Sequence, residues 1–550
     1  MGFRYSVRCI FAILIAATLG SPPGVHAAPV QAGACADVRR AAIGRVCADL
    51  LRHEARFSFA GETPERVRRA GRLRDRFAES WGRASAVSRE SCGESAAAPE
   101  VALALLEDKM DDVLLGVGHA VCRRRLARIL APSCRARVRW EGLAARDAPD
   151  SVARRAARLD RRLEKAWQRS GCEDLSAQEV RSRGRAIGGF AAGLAADGSV
   201  GALADEVGVR VGVAIEPAEV AADPVYEELV ARETNSLTAE NVMKWSVVHP
   251  QRDTWNFTGA DAVAGRATAA GKGLRGHTLI WGGTALPAWV ESVTDRASML
   301  EIMEAHIAVV ASRYAGQVEQ WDVVNEPLSS VVDPPTADGL DDNLFRRAVG
   351  PDYIAAAFRF AHAADPDARL FLNENGILLP GGRQDRFVAL VEELLDDGVP
   401  LHGIGIQGHI GLTPPAAYPS RGDIAASLRR FAELGLDVEI TELDVVTLFM
   451  ANLPEAPGKP IRQALVYGDI FGACLAEAAC TGITTWGLGD HLSWIRSFFG
   501  FADDPLLFDD AWARKPAWFA VRAELAAAAM QRDGARALAA STRGSTISAE

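Results

Sequence analysis

At 550 residues, with 49% hydrophobic and 24% charged side chains, the chain is long and apolar enough to bury large cores and is not a disordered polymer. Its net charge of -10 argues against a nucleic-acid partner, yet it conceals an asymmetry. Residues 31–190 hold 32 Lys and Arg against 22 Asp and Glu, whereas residues 191–550 hold 27 against 49, which predicts two domains with different jobs.

The N-terminus carries Arg4 and Arg8, then the apolar run Cys9–Leu19, then Val25-His26-Ala27. That order of charge, apolar stretch and small residue predicts an export signal over residues 1–27. The run is shorter than the roughly 20 apolar residues that cross a bilayer. A secreted or periplasmic protein with no integral membrane segment is therefore expected. Cysteine usage fits that compartment: Cys35, Cys47, Cys92, Cys122, Cys134 and Cys172 lie in the basic region, and Cys474 and Cys480 near the C-terminus. These predict three disulfides in the first group, of open connectivity, and one local Cys474–Cys480 bridge. No cysteine spacing resembles a zinc site, and no metal is expected.

Residues 28–190 read as a helical, cysteine-containing domain. Apolar residues recur at helical spacing in Val38–Phe57, Val67–Trp81, Val101–Leu130 and Val152–Trp167, which predicts four amphipathic helices in a small disulfide-linked bundle. Its arginines read as a solvated face, the other readings being a surface for an acidic polymer or a membrane. The role and partner of this domain are not legible. The Gly-rich stretch Gly188–Gly201 predicts a linker, centred on 191–202, so a barrel fragment starting near Leu203 is expected to fold alone.

From about Val207 strands alternate with helices. Short β-rich runs occur at Val207–Ile215, Ser236–Thr238, Leu274–Trp281, Gln320–Asn325, Leu370–Leu372, Gly403–Ile410, Asp437–Thr441 and Ile483–Leu488. Helical patterns such as Ala297–Tyr314, Tyr353–Ala364, Arg386–Asp396 and Ile424–Leu434 lie between them. Eight such repeats predict a TIM (β/α)8 barrel over 203–527, with a low-complexity tail over 528–550. A doubly wound sheet is the competing architecture, but no Gly-rich phosphate fingerprint follows the first strand.

Polar residues collect at the C-terminal strand ends, where a barrel builds its site. Glu240, Asn241 and Lys244 follow strand 2, and strand 3 carries His277 and Trp281. Strand 4 ends at Asn325-Glu326 and strand 5 at Asn373-Glu374-Asn375. Strand 6 carries Gln407 and His409, strand 7 carries Glu442 and Asp444, and Trp486 at the start of strand 8 precedes Trp494. Such groups converging from seven strands are hard to explain as packing, because buried charges are costly unless paired or used. Paired carboxylates ringed by tryptophans and amides suggest glycoside hydrolysis: one protonates the leaving oxygen, the other attacks the anomeric carbon or activates water.

The strings Thr-Ala-Glu-Asn-Val-Met-Lys-Trp (238–245), Arg-Gly-His-Thr-Leu-Ile-Trp (275–281), Trp-Asp-Val-Val-Asn-Glu-Pro (321–327), Ile-Gln-Gly-His-Ile (406–410), Glu-Ile-Thr-Glu-Leu-Asp (439–444), Thr-Trp-Gly-Leu (485–488) and Leu-Leu-Phe-Asp (506–509) resemble glycoside hydrolase family 10, the xylanases. The resemblance covers about Leu203–Leu525 and stops at the bundle. It implies Glu326 as general acid/base and Glu442 as nucleophile of a retaining endo-β-1,4-glycanase, above all an endo-xylanase, whose carboxyls stand about 5–5.5 Å apart. It further implies that His409 bonds to Glu442 with support from Asp444, that Asn325 holds the sugar 2-hydroxyl, and that Gln407 lies beside the pair. Glu240, Asn241, Lys244, His277 and Trp281 resemble the glycone wall, and Trp486 and Trp494 an aromatic roof. Cys474 and Cys480 match a family disulfide. No cofactor is implied, the partner is a β-1,4-linked, xylan-type polysaccharide, and a monomer is expected.

Two departures stand out. The Gly282–Pro287 stretch is longer than the family's and lacks its His and Gln, and Asn375 stands where the family has a tyrosine. Both leave the acid and nucleophile untouched but open a second reading, a glycanase for a decorated or mixed-linkage polymer. A third, a silenced carbohydrate-binding barrel, is disfavoured by Glu326, Glu442, Asn325 and His409 all being present.

Overall fold

The computed structural model describes residues 29–546 except 58–62, 87–96, 116, 118–119, 145–148, 196–197, 284–285, 331–335, 412–417, 449, 451–457 and 501. The expected signal over 1–27 lies outside the described residues. Eight parallel strands form the C-terminal half: β1 (Arg210–Ile215), β2 (Ser236–Ala239), β3 (Gly273–Trp281), β4 (Gln320–Asn325), β5 (Arg369–Glu374), β6 (Gly403–Ile406, resuming at His409–Ile410), β7 (Asp437–Val445) and β8 (Cys480–Thr485). Each pairs with its successor, and β1 also pairs with β8 through Arg210↔Gly482, so the sheet closes. The expected (β/α)8 barrel is present. Its strands are buried along nearly their whole length because helices cover the outside and side chains fill the inside.

One interior layer is ionic. Arg275, 1% exposed, points inward from β3 and donates through Nε to Asp322 Oδ2 at 3.1 Å and through Nη1 to Glu439 Oε2 at 3.1 Å. Gln320 Nε2 donates to Glu439 Oε1 at 2.6 Å. Pairing removes most of the cost of burying these charges, and removing one partner would restore it. The layer forms a rigid floor beneath the strand ends.

The N-terminal region departs from expectation in number and in placement. It contains α1 (Pro29–Phe57), α2 (Pro64–Ala86), α3 (Pro99–Leu114), α4 (Ala120–Ala144), α5 (Pro149–Gln168) and α6 (Ala177–Ala195), followed by the short α7 (Val200–Val207). The single helix expected over Val101–Leu130 is two, because Leu115 turns extended (φ -63°, ψ 149°) ahead of the Gly116-Val117-Gly118 sequence. Cys47–Cys134 and Cys122–Cys172 are disulfides, as is Cys474–Cys480. Cys92 and the Cys35 side chain lie outside the described residues.

The linker expected at Gly188–Gly201 is instead largely the end of α6, buried from Gly184 to Ala195. Glycine disfavours a helix by about 1 kcal/mol per residue, and here close approach explains its use. A Cβ at Gly189 would stand 2.8 Å from Ala527 Cα, and one at Gly193 would stand 2.8 Å from Ala523 Cα. Both alanines belong to the C-terminal helix, Pro516–Thr546, which also replaces the expected low-complexity tail. Its Ala-rich sequence is a strong helix former.

Ion pairs fasten bundle to barrel. Lys109 Nζ from α3 donates to Glu524 Oε2 at 2.9 Å, and Arg421 reaches Glu524 at 2.7 Å, Asp112 at 3.2 Å and Asp469 at 3.0 Å. One continuous apolar core runs from Ile43 and Leu126 to Trp518 and Val521. No described helix is long and apolar enough to cross a membrane.

Candidate active site

The barrel brings its polar strand-end residues together over the ionic floor. Glu442, on β7, is 5% exposed. Its Oε1 accepts from Asn373 Nδ2 at 2.7 Å, and its Oε2 lies 3.3 Å from His409 Nε2. The other ring nitrogen, His409 Nδ1, sits 2.8 Å from Asp444 Oδ2, which also accepts from Trp494 Nε1 at 2.9 Å. Burial alone would lower the pKa of His409, but the charge and hydrogen bond of Asp444, with those of Glu442, push it up to about 10. The imidazole is therefore doubly protonated at neutral pH and donates from both nitrogens. For Glu442 burial works upward, while the His409 hydrogen bond and the charges of His277 and His409 outweigh it, so the carboxyl titrates below its ordinary range.

Glu326 directly follows β4 and faces the same space. Trp281 Nε1 donates to its Oε2 at 2.9 Å and Gln407 Nε2 to its Oε1 at 2.7 Å. Its backbone is left-handed, φ 54°, a region uncommon outside glycine. An amide chain connects the two acids. Gln407 Nε2 also lies 3.4 Å from Asn325 Oδ1, and Asn325 Oδ1 accepts from Asn373 Nδ2 at 2.8 Å. With its oxygen occupied twice, Asn325 donates from its NH2 to no partner among the described residues.

The wall beside β2 is built from neighbours in register. Ile215 pairs with Ala239, which puts Glu216 next to Glu240. Asn241 Oδ1 accepts from Lys244 Nζ at 2.7 Å, and Lys244 also stands over the Trp281 ring at 5.1 Å. Burial, reinforced by the charge of Glu216, pushes Glu240 up to about 7. Burial depresses Lys244, although Glu442, Glu240, Glu216 and Glu326 all oppose it. The loop is fixed from below, where Trp245 stacks on His306 with centroids 3.7 Å apart. His277 Nδ1 is 3.0 Å from Asp322 Oδ2, and its ring meets Trp486 edge-on at 5.1 Å. Trp494 meets His409 at 5.0 Å. Trp486 lies just past the end of β8 rather than at a strand start, because the strand spans Cys480–Thr485, three residues earlier than its apolar run suggests.

Two groups in this cluster, Asn373 and Asp322, hold roles that no sequence motif marks. Asn373 bridges Asn325 and Glu442 and accepts from Thr441 Oγ1 at 2.7 Å, and Asp322 holds both Arg275 and His277. Strand alternation is the signal that finds Asn373: Phe371, two residues earlier, lies under the interior Arg275 guanidinium at 4.6 Å. Glu374 turns the other way. It is fully buried, bound to Arg383 Nη2 at 2.8 Å and to the Leu328 and Asn375 amides. Among the described residues no cluster of His, Cys, Asp and Glu suits a metal ion.

Residues 199–524 match the family model described as Glycosyl hydrolase family 10. The chain belongs to glycosyl hydrolase family 10. Endo-1,4-beta-xylanase 1 of Humicola insolens is 35% identical over 328 residues, which is 59% of this chain and 73% of that protein. A beta-1,4-xylanase of Dictyoglomus thermophilum is 38% identical over 309 residues, 54% and 83% of the two chains. The crystal structure of native xylanase 10B from Thermotoga maritima superposes with a TM-score of 0.54 at 34% identity, covering 60% of this chain and 98% of that one. The family 10 match begins at residue 199, after all six bundle helices.

Proposed function

We propose that this family 10 member is a secreted, retaining endo-1,4-β-xylanase with Glu442 as nucleophile and Glu326 as acid/base. The observation that carries the proposal is the contrast between the two carboxyls within one amide-linked cluster. Glu442 is held ionised by a protonated His409, whereas Glu326 is held by the neutral donors Trp281 and Gln407. A carboxylate held ionised is suited to attack, and a carboxyl held by neutral donors carries no fixed positive charge against its proton. The xylanase relatives support the choice of polymer.

In the first step Glu442 Oε forms a bond to the anomeric carbon as the bond to the leaving oxygen breaks, and Glu326 gives that oxygen its proton. In the second, water attacks the same carbon and loses a proton to Glu326, and the bond to Glu442 breaks. Asn325, Lys244 and Glu240 are suited to bind sugar hydroxyls, and Trp486 and Trp494 to cover ring faces. Asn375 and the altered loop after Trp281 favour, as a second reading, a decorated or mixed-linkage β-glycan.

The test pairs Glu326→Gln with Glu442→Gln. Both variants should lose polysaccharide hydrolysis. On an aryl glycoside with a good leaving group, which needs little acid assistance, Glu326→Gln should still show a burst of aryl release and Glu442→Gln should not. Near-native turnover by Glu442→Gln would overturn the nucleophile assignment. Product release from xylan, arabinoxylan, xyloglucan and β-glucan decides the polymer.

A further inference from the structure

Helix α5 segregates its side chains by charge. Leu159, Leu163 and Trp167 are buried against the bundle. Its carboxylates also turn inward: Asp160 binds Arg137 and Arg185, and Glu164 binds Arg181 at 2.6 Å. The outer side carries Arg154, Arg158, Arg161, Arg162, Lys165 and, just past the helix end, Arg169, all exposed. None of these six has an ion-pair partner among the described residues. The positions i, i+4, i+7, i+8, i+11 and i+15 fall within roughly 100° of the helix circumference, in a stripe about 22 Å long. Like charges at three- and four-residue spacing destabilise a helix. A solvated face relieves that repulsion by interleaving glutamates, and this face does not.

We infer that the α5 stripe is a binding surface for a carboxylate-bearing polysaccharide, a polyuronate, separate from the catalytic cleft. Five of its six cations are arginine, whose planar fork matches carboxylates in bidentate geometry. A bilayer is a poor fit, because among its described residues α5 exposes no large apolar side chain to insert. A single-stranded nucleic acid is a poor fit as well, since the stripe offers no aromatic ring for base stacking. The polyanion that shares the chemical class of the proposed substrate is a polysaccharide with acidic sugars, and this choice alone rests on the glycanase reading. Such a surface would hold the enzyme on an acidic matrix while the barrel works on neighbouring chains.

Native gels cast with polygalacturonate or with its methyl-esterified form test this on the full chain. The free-acid polymer alone should retard the protein, about tenfold more weakly at about 200 mM salt than at about 50 mM, because salt screens exposed charges. The variant Arg158→Gln/Arg161→Gln/Arg162→Gln/Lys165→Gln should bind about tenfold more weakly yet hydrolyse neutral linear oligosaccharide at the parental rate, which also reports that it is folded. Absence of retardation at low salt, equal retardation of the variant or by the ester, or tighter binding to duplex DNA or to phosphatidylglycerol vesicles would each overturn the inference. Failure of the xylanase reading would appear separately, in the hydrolysis assay.

Discussion

Replacing His409 by glutamine isolates what holds Glu442 ionised. The imidazole faces carboxylates on both sides, Glu442 at 3.3 Å and Asp444 at 2.8 Å, and glutamine keeps a neutral donor while removing the charge. A hydrogen bond to a charged group contributes about 1.5–3 kcal/mol, and one pKa unit corresponds to about 1.4 kcal/mol. Glu442 should therefore titrate roughly one to two units higher in the variant. Because its carboxyl is depressed in the parent, activity there should persist below the ordinary carboxylate range. The acid limb of kcat/KM against pH should move up by that amount in His409→Gln. Stability carries the opposite signature. His409 is raised from 6.5 to about 10, so its contribution is complete below pH 6.5 and fades as pH rises through about 10. Parallel urea titrations should show the parent losing stability across that window and the variant showing little dependence there. An unmoved acid limb, with the variant folded, would refute the claim that His409 keeps Glu442 ionised.

A fragment beginning near Leu203 should hydrolyse soluble substrate but melt several degrees below the full chain, because the Lys109–Glu524 pair and the α6 contact leave with the bundle; each kcal/mol corresponds to about 1–2 °C in a domain of this size. An insoluble or inactive fragment beside an active full chain would make the bundle part of the barrel's fold. Asn375→Tyr should restore a flat apolar face worth on the order of 1 kcal/mol and raise kcat/KM a few-fold to tenfold on short unsubstituted oligosaccharides, less on polymer. No gain, or equal gain at every chain length, would mean that residue 375 does not face the sugar.

The barrel was legible where local pattern and burial agree. β4 and the helix Tyr353–Ala364 coincide with their sequence expectation to the residue, since each is a short apolar pattern bounded by polar turns. Strand β8 was misplaced because Trp486 and Leu488 continue its apolar run while packing against His277 and into the core, so composition alone cannot mark the strand's end. The clustered polar residues were readable because they sit at strand ends. Asn373 was harder, because its role depends on two partners 48 and 69 residues distant. The linker expectation failed for a tertiary reason: glycines punctuate an isolated chain, but Gly189 and Gly193 serve a helix pair whose second member lies more than 300 residues later.

The left-handed backbone of Glu326 (φ 54°) has an evolutionary corollary. Holding a residue with a Cβ in that region costs on the order of 1 kcal/mol or more, a penalty that glycine escapes. Selection for thermostability alone would therefore drive position 326 toward glycine, whereas selection for glycan turnover would retain the acid. A lineage released from the need to hydrolyse would have a downhill path away from glutamate at this position.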